Sequence, residues 1–157
     1  FKNKFSLEDS IEEIMNDWNT MAYNYYTNDI KLKPGALQYL LKLKELGIKI
    51  GLATSNSMHL LTTTLKSNNA FELFDAITVT DEVEKSKSNP DIYLLAAKKL
   101  GVNPSECMVF EDIIAAVYGA KLAGMKVTGV YDKHSEHQID ILKKECDNYI
   151  YNYEDLI

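Results

Sequence analysis

Residues 107–125 read CMVFEDIIAAVYGAKLAGM, and the reading of this stretch decides the fold. Met108, Val109 and Phe110 form a short apolar run that meets two adjacent carboxylates, Glu111 and Asp112. A helix-like apolar segment follows and closes at Gly124, a residue suited to a left-handed helix end. Paired acids at the end of a buried strand cost desolvation unless a cation, a donor network or a catalytic task compensates. An acidic first turn also complements a helix dipole. That accounts for one acid more readily than for two abutting a buried strand.

The same strand-then-helix rhythm runs outward in both directions. Downstream come a strand over Lys126–Val130, a helix opened by the S-x-x-Q pattern of Ser135–Gln138, and a last strand over Asn148–Tyr153. Upstream, a helix is capped by Asn89 with Pro90 in its first turn and ends at Leu100-Gly101. Before it lie a strand over Ala76–Thr80, a helix over Ser57–Ser67, a strand over Ile48–Ala53, and a helix from Pro34 to Leu46-Gly47. Strands alternating with helices predict an α/β fold, a doubly wound parallel sheet covered on both faces.

At the start, Ser6-Leu7-Glu8-Asp9 is a capping-box signal, with Ser6 as N-cap. Leu7, Ile11, Ile14, Met15, Trp18, Ala22 and Tyr25 then recur at helical spacing, which predicts an amphipathic helix over residues 7–26. The polar run from Asn28 to Gly35 reads as a linker, dividing residues 1–31 from residues 32–157. The chain opens on Phe1, not Met, so a preceding segment is expected.

Composition narrows the function classes. The 157 residues are 46% hydrophobic and 25% charged, an ordinary globular mix for one domain, or one domain plus part of another. Net charge is −6 with no Lys/Arg cluster, which argues against nucleic acid as a partner. No apolar run approaches the ~20 residues that span a bilayer. Two cysteines, Cys107 and Cys146, make no disulfide framework, so a reduced cytoplasmic setting is expected.

Ligands of open parallel sheets bind at the carboxyl ends of the strands, and three polar groups fall there. Thr54-Ser55-Asn56-Ser57 offers hydroxyls and backbone N–H groups at a helix start, an anion site, although taken alone an N-cap cluster is the commoner use. The loop from Asp81 to Asn89 carries Lys85 and Lys87, and a lysine there can neutralise a phosphate. Glu111 and Asp112 suit Mg²⁺, which takes one or two carboxylates plus water and substrate phosphate. Other residues fit plainer roles: His134 and His137 the surface, Tyr149, Tyr151 and Tyr153 one strand face, Cys107 the core, and Trp18, Tyr23, Tyr25 and Tyr26 packing.

These residues resemble the motifs of the haloacid dehalogenase (HAD) superfamily, most closely its beta-phosphoglucomutase and sugar-phosphatase branch. Gly51-Leu52-Ala53-Thr54-Ser55-Asn56 resembles the second motif, Lys87-Ser88-Asn89-Pro90-Asp91 the third, and Val109-Phe110-Glu111-Asp112 with Ala123-Gly124-Met125 the fourth. The resemblance implies a HAD-like, Rossmannoid sheet with a remnant of a helical cap at residues 1–31. It also implies a Mg²⁺-dependent phosphatase or phosphomutase acting on a small phosphorylated metabolite, such as a sugar phosphate. Asp112 and Glu111 would bind the metal, Thr54, Ser55 and Asn56 the phosphate, and Lys87 both phosphate and nucleophile.

Three departures stand out. Ser88 replaces a usual proline, and Ile113 and Ala116 stand where Ser and Gly are usual. The first motif, Asp-x-Asp-Gly after a hydrophobic strand, is absent from the 157 residues. In the family that strand lies mid-sheet and carries the aspartate that becomes phosphorylated. The core over residues 32–157 is therefore expected to lack its first strand, leaving two half-sheets and an inactive chain without its N-terminal segment. A phosphate- or nucleotide-binding module without catalysis is the competing reading. A dinucleotide fold is disfavoured, since no GxGxxG follows a strand.

Overall fold

The structure is a computed structural model and describes residue 2 and residues 8–157. Helix α1 (Ile11–Asn28) leads into α2 (Ala36–Glu45), β1 (Gly51–Thr54), α3 (Met58–Ser67) and β2 (Ala76–Val79). Then follow α4 (Asp91–Leu100), β3 (Met108–Glu111), α5 (Ile114–Leu122), β4 (Lys126–Val130), α6 (Ile139–Glu145) and β5 (Asn148–Ile150). Every strand pairing is parallel, as the alternation predicts. The strands form two sheets, one of order β1-β2 and one of order β3-β4-β5.

Each sheet has its own core. Ile92, Tyr93, Ala97, Val117, Ala120, Val127 and Leu142 pack around the larger sheet. Leu61, Leu65 and Ala70, with Leu52, Phe74 and Ile77 against them, hold the smaller one. β1 and β3 share no ladder, and residues of both line a cleft of about 860 Å³ that also takes in Tyr39, Phe110 and Tyr153.

Helix ends follow the glycines. Gly47, Gly101 and Gly124 all have left-handed φ, at 71°, 65° and 81°. Other boundaries differ from the sequence reading, each for a local reason. The proposed Ser6 cap lies outside the described residues. Helix α1 starts at Ile11, where Ser10 and Glu13 close a reciprocal capping box. Pro90, not Asn89, stands directly before α4 and offers no side-chain cap. Asp132, not Ser135, caps the turn over Lys133–Gln138 by accepting from the His134 N–H, while Ser135 is buried inside that turn. Gln138 serves a different helix, accepting from the Ile114 N–H at 2.9 Å at the start of α5. The last strand stops at Ile150 because Tyr153–Leu156 turns into a 3-10 helix. Tyr153 therefore leaves the Tyr149–Tyr151 pair and packs on Tyr39 and Phe110.

β1 begins at Gly51, not Ile48, because Asp75 takes over the backbone of Ile50. Its carboxylate accepts the Ile50 N–H at 2.8 Å and its own N–H donates to the Ile50 carbonyl at 2.8 Å. Asp147 does the same for Val127 in the other sheet, at 2.7 and 2.8 Å. Lys44, and then the Ile50 N–H, hold the Asp75 carboxyl below its ordinary value. A depressed carboxyl contributes stability that is present above the unfolded value, about 3.9, and is lost as pH falls through the lower folded one. Asp75→Asn is accordingly expected to flatten the acid limb of thermal stability below about pH 4. Melting curves across pH check it, and an unchanged limb overturns the assignment.

Helix α1 buries none of its residues. Ile11, Met15, Trp18 and Met21, most of them on the apolar stripe foreseen in the sequence, are each more than half exposed. Its other side meets α3, where Tyr23 stacks on His59 at 5.2 Å and the Tyr26 carbonyl accepts from Thr64 Oγ1 at 3.0 Å. No helix among the described residues is long and apolar enough to cross a membrane. His134 and His137 are exposed, and Cys107 and Cys146 are free, half-buried thiols.

Candidate active site

Glu111 ends β3, paired in register with Gly129, and its side chain is only 8% exposed. Burial of a carboxylate demands partners, and it has two. Lys87 forms a close ion pair with Glu111 Oε1, and Tyr93 Oη lies 3.0 Å from the same oxygen. The Ala116 carbonyl is also 3.0 Å from Tyr93 Oη, so the single phenol proton is shared between two acceptors. Burial, and then the Glu111 charge, push the Tyr93 phenol far up, which keeps it a donor. The Lys87 ammonium also sits 5.9 Å from the Tyr93 ring centre. Thus the loop after β2 and the tip of β3, separate in sequence, meet at one ion pair.

Gly119 makes that meeting possible. A Cβ there would lie 2.1 Å from the Lys87 carbonyl oxygen and 2.8 Å from that of Asn89. Backbone atoms at those distances must move. Gly119→Ala is expected to push the lysine loop off α5, costing about 1–3 kcal/mol, in line with overpacking. Chemical denaturation reads the loss, and a wild-type midpoint overturns this account.

Asp112, one residue past the strand, keeps a third of its side chain exposed and lies 3.9 Å from Lys33 Nζ. Lys33 itself contacts Asp132 closely and donates to the Tyr131 carbonyl at 3.0 Å. Lys33, then Asp132's own turn, hold the Asp132 carboxyl below its ordinary value. Tyr153 closes the other side; burial first, and then Asp112 and Glu111, push its phenol up to about 12.

Thr54 ends β1, and its Oγ1 accepts the Asn56 N–H at 3.0 Å. Asn56 Oδ1 accepts the Ser57 N–H at 2.9 Å, and Ser57 caps α3. Both sequence readings of this segment thus remain in play: it is a capped turn whose hydroxyl end sits at the carboxyl end of a strand. Among the described residues, no hydrogen bond or ion pair links Thr54, Ser55 or Asn56 to the Lys87–Glu111 pair. Lys87, Glu111, Lys33 and Tyr153 line the cleft between the sheets.

As a place for a hard cation, the donor set is partial. No group of three or more His, Cys, Asp or Glu side chains converges among the described residues. Lys87 and Tyr93 both engage Glu111 Oε1, and Asp112, one-third exposed, is the more accessible carboxylate of the two. One carboxylate is what Mg²⁺ asks of a protein when phosphate and water fill the rest of its shell.

Sequence reasoning missed Lys33, Tyr93, Asp132 and Tyr153. Asp132 carried a usable signal, since it follows β4 at the carboxyl end of the sheet, where ligand contacts collect. Lys33 and Tyr93 carried none beyond their residue type.

Comparison with known proteins shows the family and the fold. The family model of haloacid dehalogenase-like hydrolases matches residues 2–124. YhcW of Bacillus subtilis (strain 168) is 47% identical over 103 residues, taking in 66% of this chain and 47% of that protein. Hexitol phosphatase B of Escherichia coli (strain K12) is 34% identical over 95 residues, 60% of this chain and 43% of that one. The chain thus spans about half the length of either relative. Among solved structures, CbbY from Rhodobacter sphaeroides in complex with xylulose-1,5-bisphosphate superposes at a TM-score of 0.83 with 25% identity, covering 96% of this chain and 67% of that one.

Proposed function

The chain belongs to the haloacid dehalogenase-like hydrolases, and on that premise we propose that it forms the phosphate- and cation-binding part of a Mg²⁺-dependent phosphatase or phosphomutase acting on a small phosphorylated metabolite. A sugar phosphate fits best, given relatives named for hexitol phosphate hydrolysis and for a bisphosphate complex. The observation that carries the reading is the Lys87–Glu111 pair, with Asp112 beside it, at the cleft between two parallel half-sheets.

The division of labour follows from charge. Phosphoryl transfer relies on positioning and electrostatic stabilisation more than on covalent chemistry by the protein. Thr54 Oγ1 and the N–H groups of Ser55 and Asn56 hold phosphate oxygens at the start of α3. That requires the Asn56 N–H to trade Thr54 for the ligand. Lys87, fixed by Glu111, places its ammonium toward the phosphoryl group and the attacking carboxylate. Asp112, with Glu111 behind it, is the side of the metal site that this chain supplies. A bound Mg²⁺ would neutralise developing charge on the phosphoryl oxygens.

The attacking aspartate, which carries the phosphoryl group as an aspartyl-phosphate, belongs to an N-terminal segment outside the 157 residues. Its strand fits the cleft between β1 and β3, where neither strand has a partner on that side among the described residues. Residues 1–31 belong to the end of a helical cap, in keeping with the exposed stripe of α1, and residues 32–157 to the core. We place the protein in the cytoplasm, where free thiols such as Cys107 and Cys146 persist.

The test is Mg²⁺-dependent release of phosphate by the full gene product, assayed on a panel of hexose, hexitol and pentose phosphates and on an aryl phosphate. Release that EDTA abolishes supports the reading. Phosphate binding without release from any of these would favour a non-catalytic module instead.

A further inference from the structure

Lys33 stands between two carboxylates and has chosen one of them. Its ammonium contacts Asp132 Oδ2 closely and donates to the Tyr131 carbonyl at 3.0 Å, but stays 3.9 Å from Asp112 Oδ2, outside hydrogen-bond range. Asp132 is itself anchored, its second oxygen accepting the His134 N–H at 2.8 Å. The lysine backbone is anchored too, since Pro34 follows and its carbonyl accepts the Tyr153 N–H at 3.0 Å. Only the lysine side chain is left to swing. A lysine ammonium is a mobile point charge on a flexible stem, and a shift of about 1 Å would bring it into full contact with Asp112. It would then hold the carboxylate oxygen that a cation needs.

We propose that Asp132 is a positioning residue that parks the Lys33 ammonium and so leaves the Asp112 carboxylate available to the divalent cation. This rests on the reading of Asp112 as a cation ligand. It makes an unusual prediction of sign: removing an acid that touches no metal weakens metal binding, and removing the lysine as well restores it. An effect of Asp132 on folding does not behave so, because loss of the lysine would then add to the damage. A general charge effect shares the sign but is screened by added salt, so the ten-fold loss is read at about 0.15 M ionic strength.

The experiment is direct Mn²⁺ binding to the full gene product, followed by electron paramagnetic resonance without substrate. Asp132→Asn is expected to weaken Mn²⁺ binding about ten-fold, the scale of effects from residues that orient ligands. Lys33→Met is expected to bind at least as tightly as wild type. The double variant Lys33→Met/Asp132→Asn is expected to return to within about two-fold of wild type. Unaltered affinity in Asp132→Asn, or a double variant as weak as the single one, overturns the proposal. Should Asp132→Asn fail to fold, Lys33→Met alone decides, since a ten-fold loss there contradicts a competing lysine. Asp112→Asn separates the two levels. If it binds Mn²⁺ like wild type, the cation reading itself fails; if it loses binding while Asp132→Asn does not, only the parking role fails.

Discussion

Asp112→Asn in the full gene product is expected to abolish Mg²⁺-dependent phosphate release, lowering kcat by at least a hundredfold. The reasoning is one of supply. Glu111 is buried with Lys87 and Tyr93 on its Oε1, so Asp112 is the more accessible carboxylate of the pair, and an amide replaces a charged oxygen with a weaker neutral one. Residues that merely orient a metal ligand already cost about 10–100-fold, and a ligand itself costs more. The substitution is nearly isosteric and the side chain is one-third exposed, so the thermal midpoint is expected to stay close to wild type. Turnover measured against Mg²⁺ concentration, beside a melting curve, checks both halves. Activity near the wild-type level removes Asp112 from the site.

Lys87→Met is expected to damage stability and activity together. It strips the charge partner from a carboxylate that is 8% exposed, while Tyr93 can offer only part of one proton. Breaking a buried pair from one side costs about 3–5 kcal/mol, and the partial exposure of Lys87 puts the expected loss near the lower figure. Removing both charges is gentler than removing one, so Lys87→Met/Glu111→Gln is expected to recover part of the urea midpoint without recovering turnover. A single variant as stable as wild type would mean that solvent, not Lys87, satisfies Glu111.

The sequence made the alternation of elements legible because its punctuation is local. A helix that ends at a glycine can close on a left-handed residue, and Gly47, Gly101 and Gly124 all supply one. The β4 strand has the limits its apolar run suggests. What stayed hidden depends on partners far away in the chain. No local rule says that Asp75 will replace a strand partner for Ile50, or that Gln138 will cap a helix 24 residues earlier. The site divides in the same way. Glu111 and Asp112 announce themselves by standing together after an apolar run. Lys33 and Asp132 are single charges 99 residues apart, and only folding makes them a pair. Local propensity also misplaced the turn before α6, where Asp132 and not Ser135 is the cap.

The hydrogen bond between Tyr153 and Pro34 has a topological consequence. A Cβ on Gly35 would lie 2.4 Å from the Glu154 nitrogen, so the first turn of α2 and the final turn of the chain press directly on each other. The path from Pro34 through five strands to Tyr153 therefore closes on itself, almost a ring. The helix ahead of Pro34 then meets that ring at α3, where Tyr23 stacks on His59 and the Tyr26 carbonyl accepts from Thr64 Oγ1. The outward side chains of α1, such as Ile11, Met15 and Met21, can then vary while the ring behind them keeps its chemistry in register.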